Sequence, residues 1–305
     1  MVQGTVLVLA VLFVLLNTLT DLLCLAIDPP WSQGVLIMSL SVKTGLGLLL
    51  LVVLFALLGP VLWPDPAAQD LAQFLADPSW QEPLGRDQMG RSLMARLAAA
   101  TRLSLLLGML CVITAALLGS LLGWLSAWRG GWVDGLLRSL ADGVLALPSL
   151  LLVLLFSAMA QGGFAILYLG LAMAQWVEYY RVVRARSRAL LASPQVEASR
   201  LLGFGNGHIV RRHLWPELAP QLLTMMAFGL AGAILTLSTL GFVGVGIQPP
   251  TPELGLMMTE ALPHYQEAPR LLLAPILVMG MMLLALVLLN QKGTLHTPSP
   301  QGVTP

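Results

Sequence analysis

Charged residues are scarce in this sequence. Only 10% of its 305 residues are Asp, Glu, Lys or Arg, whereas an ordinary soluble domain carries roughly 25%. The segments 104–128 and 271–289 contain none of these four residue types. Stretches of about 20 apolar residues match the thickness of the hydrocarbon core of a bilayer. The scarcity of charge therefore excludes an ordinary soluble domain and indicates a polytopic membrane protein.

The sequence also lacks the residue sets that bind cofactors, metals and nucleic acids. Its two cysteines lie within apolar runs, where we expect them to pack as small hydrophobic residues. Its four histidines form no convergent catalytic or metal-binding set, and its basic residues form no run of the nucleic-acid-binding type. No G-x-x-x-x-G-K-[ST] nucleotide-binding loop occurs. We therefore expect no catalytic site, no metal, no cofactor and no nucleic-acid partner.

Seven apolar segments predict a bundle of transmembrane α-helices. They lie at 5–27, 42–62, 104–128, 136–160, 163–183, 217–240 and 270–290. The first has no basic residue before it and no small-residue cleavage site after it, so we expect it to remain in the mature chain. The predicted fold class is all-α, a polytopic transmembrane helical bundle.

Arginine placement predicts the orientation of this bundle. The segment 184–216 holds six arginines, and basic loops lie on the cytoplasmic side of membranes. They are Arg184, Arg186, Arg188, Arg200, Arg211 and Arg212. Two acidic residues, Asp21 and Glu178, then fall near the cytoplasmic ends of their spans, where a carboxylate can reach the interface.

The segment 193–218, SPQVEASRLLGFGNGHIVRRHLWPEL, predicts a short helix outside the bilayer. Ser193 is suited to the N-cap, Pro194 to the first helical position, and Gly203 would end the helix. The apolar face would comprise Val196, Leu201 and Leu202. An exposed apolar face of this kind suits a groove on a partner protein.

This segment resembles the EAA loop of ATP-binding-cassette importer permeases. The matching residues are Glu197, Ala198, Gly203, His213 and Pro216. The resemblance implies a coupling loop over 189–216 whose helix sits in a cleft of an ATPase subunit. The alternative is an amphipathic helix that lies on the membrane surface.

Four further stretches resemble the permeases of dipeptide, oligopeptide and nickel importers. They are LGRDQMGRSLMARLAAATRLSL at 84–105, GGWVDGLLRSLADGVLALP at 130–148, EYYRVVRARSRAL at 178–190 and GFVGVGIQPPTPELG at 241–255. The positions that match the family motifs are Gly85, Asp87, Gly90, Arg91, Arg102, Asp134, Arg138, Asp142, Pro148, Arg181, Arg184, Gly244, Gly246, Pro250 and Gly255. For 84–105 a solvated loop tip is the alternative interpretation.

Three departures accompany the resemblance. Gly241 and Leu254 stand where the family commonly has serine and tryptophan. After Asn290 the chain continues into a tail, 291–305, that is rich in proline and poor in apolar residues. We expect this tail to be disordered.

The N-terminal segment 1–30 resembles the last helix of the sister permease that pairs with such a chain. It therefore predicts an extra transmembrane helix, derived from a fusion or from the placement of the translation start, ahead of a six-helix permease core at 31–290. The alternative is a functional seventh helix with its own packing role.

The resemblance implies a permease subunit of an importer in the inner membrane, forming the translocation pathway for peptides. It also implies a sister permease, two ATPase subunits or domains, a periplasmic substrate-binding protein and the lipid bilayer as partners. Nickel or a metal chelate stays open as the cargo, because peptide and nickel members share these motifs. Two other classes are an ion-coupled secondary transporter, which would carry more intramembrane charge, and an integral membrane enzyme, which would need a convergent catalytic set.

Overall fold

The computed structural model describes residues 34–159 and 164–290, and this part of the chain contains helices and no strand. Its helices are α1 (Gly34–Leu62), α2 (Leu93–Arg129), α3 (Gly131–Leu145), α4 (Ser149–Met159), α5 (Phe164–Leu191), α6 (Pro194–Leu201), α7 (Asn206–Ile209), α8 (Trp215–Val243), α9 (Leu254–Ala261) and α10 (Arg270–Asn290). The predicted N-terminal helix at 1–30 and the predicted disordered tail at 291–305 lie outside the described residues.

Four helices in the described part of the chain are long and apolar enough to cross a membrane. They are Val42–Leu62 within α1, Leu93–Arg129, the continuous run Asn206–Val243, and Arg270–Asn290. The pair α3 and α4 makes a fifth if it is counted as one broken span. α5 has 28 residues but is more polar, because Gln175, Glu178 and several arginines lie along it. The predicted all-α polytopic bundle is confirmed.

The predicted span at 136–160 is not one continuous helix. The chain bends by 84° between α3 and α4. Pro148 lies at this break, and proline cannot donate the backbone hydrogen bond that would continue the helix. This segment is therefore a broken span or a re-entrant loop.

A pair of glycines allows α2 and α5 to pack closely. Gly119 and Gly123 are four residues apart and so share one face of α2. A Cβ at Gly119 would lie 2.4 Å from the carbonyl oxygen of Trp176, and one at Gly123 would lie 2.7 Å from that of Tyr180. Small residues at this spacing are typical of helix contacts in membranes, where close van der Waals packing replaces the hydrophobic effect.

Large apolar side chains are exposed on the outside of the bundle. Leu50 of α1 is 57% exposed, Leu121 of α2 is 60% exposed and Leu277 of α10 is 64% exposed. Exposing leucine side chains to water is unfavourable, but exposing them to lipid is not, because lipid tails are as apolar as leucine. The outer surface of the helices thus fits a bilayer.

Candidate functional site

The short helix α6 ends in an exposed apolar surface. Val196 is buried against the rest of the protein, whereas Glu197 and Ala198 face solvent. At the end of the helix Leu201 is 84% exposed and Leu202 is 75% exposed. The predicted short helix is confirmed, but the predicted single apolar face is wrong: Val196 packs inward, whereas Leu201 and the following Leu202 form a separate, exposed candidate contact surface.

Gly203 ends α6 as predicted. Its φ of +81° lies in the left-handed region that favours glycine. Its amide donates to the carbonyl of Arg200 at 3.0 Å, and the amide of Phe204 donates to that of Ser199 at 3.1 Å. The ring of Phe204 then stacks on His208, with 4.3 Å between the ring centroids.

His213 connects α6 to the beginning of α8. The Oγ atom of Ser199 and the Nε2 atom of His213 are 2.9 Å apart in a hydrogen bond. His213 belongs to a π-helical turn, Val210–Leu214, that leads into α8, and Pro216 is exposed in the first turn of α8. The sequence interpretation missed Ser199, although a serine three residues after the buried Val196 lies on the same face of α6.

Asp134 joins α2, α3 and α5 at the arginine-rich end of the bundle, and it is only 5% exposed. Its carboxylate accepts hydrogen bonds from Ser126, Arg138 and Arg184, and it forms an ion pair with Arg188. Arg184 donates through both Nε and Nη2, the latter at 2.8 Å. The hydroxyls of Ser126 and Tyr180 are 3.2 Å apart, which extends the network along α5. We call these residues the Asp134 cluster.

The structure thus brings three motif residues into one cluster, while others lie nearby at the surface. Arg181 donates to Asp142 at 2.7 Å, and both side chains are more than half exposed. Pro148 is exposed at the bend that follows. The sequence interpretation missed Ser126 and Arg188, because the motif spacing alone does not show which polar residues of α2 and α5 approach α3.

At the opposite end of α2, two arginines and two carboxylates form a buried cluster. Arg91 and Arg96 are each only 2% exposed. Arg91 donates to Asp87 at 2.7 Å and to Glu260 of α9 at 3.2 Å. Arg96 donates to the same two residues at 2.5 and 2.6 Å. We call these four residues the Asp87 cluster. The alternative interpretation of 84–105 as a solvated loop tip is therefore wrong for Asp87, Arg91 and Arg96, which are buried.

Two glycines shape the loop before this cluster. Gly85 and Gly90 have φ values of +74° and +68°. A Cβ at Gly90 would lie 1.8 Å from the carbonyl oxygen of Asp70, so no side chain fits there. Arg102, the remaining motif residue of this stretch, is exposed on α2 and lies outside the cluster. Arg96 and Glu260 were not singled out from the sequence.

The segment between α8 and α9 is organised by the buried Glu253. Its carboxylate caps α9 by accepting from the amide of Leu256 at 2.9 Å, and it accepts from the hydroxyl of Ser238 at 3.2 Å. Burial raises the pKa of Glu253, while these bonds and those from the amides of Gly255 and Leu254 oppose the rise.

The glycines of this segment leave room for the carboxylate and for close backbone contact. A Cβ at Gly241 would lie 1.8 Å from Oε2 of Glu253, and one at Gly255 would lie 1.8 Å from the carbonyl oxygen of Ser238. Gly244 has a φ of +81° where α8 ends. A Cβ at Gly246 would lie 2.8 Å from the amide nitrogen of Gly241.

Two further residues of this segment differ in exposure: Pro250, a family-motif position, and Leu254, which stands where the family commonly has tryptophan. Pro250 is exposed and follows a cis peptide bond. Leu254, the departure from tryptophan, is fully buried.

A groove of about 340 Å³ with both apolar and polar walls lies between α4, α5 and α8. Gln175 and Glu178 of α5 contribute its polar atoms, together with Ser149 of α4 and Thr236 of α8. The amide nitrogen of Gln175 donates to the carbonyl of Gly229 at 3.1 Å, which ties α5 to α8. Polar groups on membrane-spanning helices are costly when they face lipid, so they ordinarily line a pathway or a contact between helices.

The apolar spans, the groove between the helices and the two charged clusters are the features of a multi-pass membrane protein. Residues 115–291 match the family described as binding-protein-dependent transport system inner membrane component. The dipeptide transport system permease protein DppC of Haemophilus influenzae is 34% identical over 80% of this chain and 84% of its own length. The di/tripeptide permease protein DppC of Pseudomonas aeruginosa is 35% identical over 73% of this chain and 76% of its own.

Two further comparisons agree with these. The dipeptide permease protein DppC of Escherichia coli K12 is 40% identical over 67% of this chain and 70% of its own. A solved inward-facing structure of the MetNI methionine ABC transporter is 18% identical, covers 66% of this chain and 95% of its own, and has a TM-score of 0.52. That likeness concerns the fold. The chain belongs to the binding-protein-dependent transport system inner membrane component family, and it is a multi-pass inner membrane permease of an ABC importer.

Proposed function

We propose that this chain forms part of the translocation pathway of a peptide importer. The observation that carries the proposal is that the dipeptide and di/tripeptide permeases are 34–40% identical over two thirds or more of the chain. No feature of the described residues favours nickel over peptide, since they contain no group of three or more potential metal-binding side chains. Nickel and metal chelates are therefore outcomes of the test.

We propose the groove between α4, α5 and α8 as this chain's wall of the pathway. A sister permease would supply the facing wall, and a periplasmic binding protein would deliver the cargo. ATP would bind to separate ATPase subunits or domains, because the sequence has no phosphate-binding loop of the G-x-x-x-x-G-K-[ST] type.

We further propose that α6 couples the ATPase to this groove. Leu201 and Leu202 would seat in a cleft of the ATPase subunit, with Glu197 beside them. The bond between Ser199 and His213 would pass a displacement of α6 to α8, which forms one wall of the groove.

The Asp134 cluster supports the same mechanism for the other wall. Through Arg184 and Arg188 it fixes α5 to α2 and α3 just before the chain turns into α6. A displacement of α6 would therefore move α5 together with its neighbours. ATP binding would shift the population between an inward-facing and an outward-facing state, provided the ATPase binds the two states with different affinities.

The role of residues 1–30 is likewise a proposal: an appended helix outside the six-helix core. Its deletion should leave membrane insertion, assembly and uptake unchanged. Loss of assembly on deletion would instead make it a functional seventh helix.

The cargo is tested by ATP-dependent uptake in cells that lack this gene and in complemented cells. A labelled dipeptide and radioactive nickel are measured side by side. Loss of dipeptide uptake alone, restored by complementation, is the expected result. Loss of nickel uptake alone would overturn the peptide assignment, and loss of neither would overturn both.

A further inference from the structure

The carboxylate of Glu178 on α5 faces the groove without a partner of opposite charge. Glu178 is exposed, lines the groove and forms no ion pair or hydrogen bond with any described residue. The Oε1 atom of Gln175 is buried and accepts no hydrogen bond from the described residues. The two side chains are three residues apart, so they lie on the same face of the helix.

The orientation of the Gln175 amide is fixed by its neighbour. The carbonyl oxygen of Gly229 can only accept, so the amide nitrogen of Gln175 must be the atom that faces it at 3.1 Å. The Oε1 atom is therefore left without a donor among the described residues, and it is buried rather than accessible from the groove. The exposed carboxylate of Glu178 is the acceptor that a ligand in the groove can reach.

The rest of the groove complements this charge pattern. No lysine, arginine or histidine lines it, and its remaining walls are apolar or carry hydroxyl groups. Phe228, which is 52% exposed, offers an aromatic ring on the α8 side. A site with one negative charge and an exposed aromatic ring suits a small cationic group that donates hydrogen bonds.

We propose that Glu178 binds the protonated amino terminus of a peptide as it passes through the groove. An ammonium group has three donors and one positive charge, so the Glu178 carboxylate can accept a charged hydrogen bond from it. The inference rests on the proposed peptide cargo and adds which end of the peptide this chain contacts.

The test uses the assembled, nucleotide-free complex of this chain with its partner subunits. A dipeptide that carries a photoreactive side chain is cross-linked to the complex in two forms, one with a free amino terminus and one with an acetylated amino terminus. The free-amine form should cross-link to the groove segments of α5 and α8. In Glu178→Gln the yield at subsaturating peptide should fall about tenfold, the effect of one charged hydrogen bond. The acetylated form should cross-link weakly and equally in both proteins.

Glu217→Gln is the matched control, because Glu217 is exposed at the beginning of α8 and does not line this groove. It should leave both yields unchanged. Equal losses for the two peptide forms in Glu178→Gln, no loss for the free amine, or no cross-link to the groove in the unsubstituted protein would each overturn the proposal. Reduced copurification of the partner subunits with Glu178→Gln would also overturn it, since Glu178 would then be an assembly contact.

Failure of this inference is distinguishable from failure of the proposed function. Dipeptide uptake by the unsubstituted importer tests the function by itself. If uptake is present and Glu178→Gln behaves like the unsubstituted protein, only the amino-terminus site is wrong. If the importer takes up nickel and no dipeptide, both are wrong.

Discussion

The two ends of the bundle handle buried charge in different ways. The Asp87 cluster pairs two carboxylates with two guanidinium groups, and both arginines are almost completely buried. The Asp134 cluster has one carboxylate among three arginines, and Arg138 and Arg188 are 54% and 46% exposed. The first is balanced and closed, whereas the second has an excess of positive charge and is partly open to solvent.

This difference suggests two mechanical roles. In the Asp87 cluster each buried charge already has partners of opposite charge, and separating them would leave a buried charge unpaired. The cluster therefore holds the loop before α2 against α9 as a fixed unit. The arginine-rich end is partly open to solvent, and α6 follows α5, which carries Arg184 and Arg188, after two residues. Motion that is driven from outside the chain would therefore begin at the arginine-rich end and work against the fixed one.

The largest effect is expected from Arg96→Ala. It leaves Asp87 and Glu260 with a single buried arginine, and removing one member of a buried ion cluster costs about 3–5 kcal/mol. The free energy of unfolding of the purified chain in bicelles measures this. Arg102→Ala is the control, because Arg102 is exposed on the same helix and should change the value by less than about 0.5 kcal/mol. Equal effects of the two substitutions would abolish the distinction of a closed end.

A smaller effect is expected from Asp134→Asn. The amide keeps the shape of the side chain but loses its charge, so the interaction with Arg184 weakens by about 2 kcal/mol. The same unfolding measurement applies. Asp142→Asn is the control, since its pair with Arg181 is exposed and should contribute less than about 1 kcal/mol. A cost for Asp134→Asn as large as that for Arg96→Ala would contradict the view that this end is the more adaptable one.

The smallest effect on stability is expected from Ser199→Ala, which removes the single bond to His213 and should cost about 1 kcal/mol. Its effect on transport should be larger, because α6 would lose a link to α8. The measurement is the amount of dipeptide imported per ATP hydrolysed. Thr224→Ala, which removes an exposed hydroxyl bonded within α8, is the control and should leave the ratio unchanged. An unchanged ratio in Ser199→Ala would exclude this bond as the link.

The sequence was informative wherever local rules decide the structure. The predicted span at 270–290 matches α10, and the predicted span at 42–62 matches the C-terminal end of α1, which begins eight residues earlier at Gly34. The predicted start of α6 at Ser193 and Pro194 and its end at Gly203 are confirmed. These features depend on neighbouring residues in the chain. A helix cap or a span of 20 apolar residues can therefore be read without knowledge of tertiary contacts.

What the sequence could not show were contacts between distant segments. Glu260 meets Arg91 from 169 positions away, and nothing in either stretch identifies the other as its partner. The bend at Pro148 was missed for a different reason: the apolar run continues through the proline, so hydropathy favours one span while the backbone chemistry of proline breaks it. The sequence likewise does not show that Gln175 and Glu178 line a groove, because the groove forms only where α8 packs beside α5.

The central claim, that α6 couples this permease to its ATPase, is tested most directly by Leu201→Glu. The substitution puts a charge on a side chain that is 84% exposed, so the chain itself should fold and insert normally. The account predicts that the ATPase subunits no longer copurify and that ATP-dependent dipeptide uptake is lost, while Leu277→Ala on the lipid-facing side of α10 changes neither. Normal copurification and normal uptake in Leu201→Glu would contradict it.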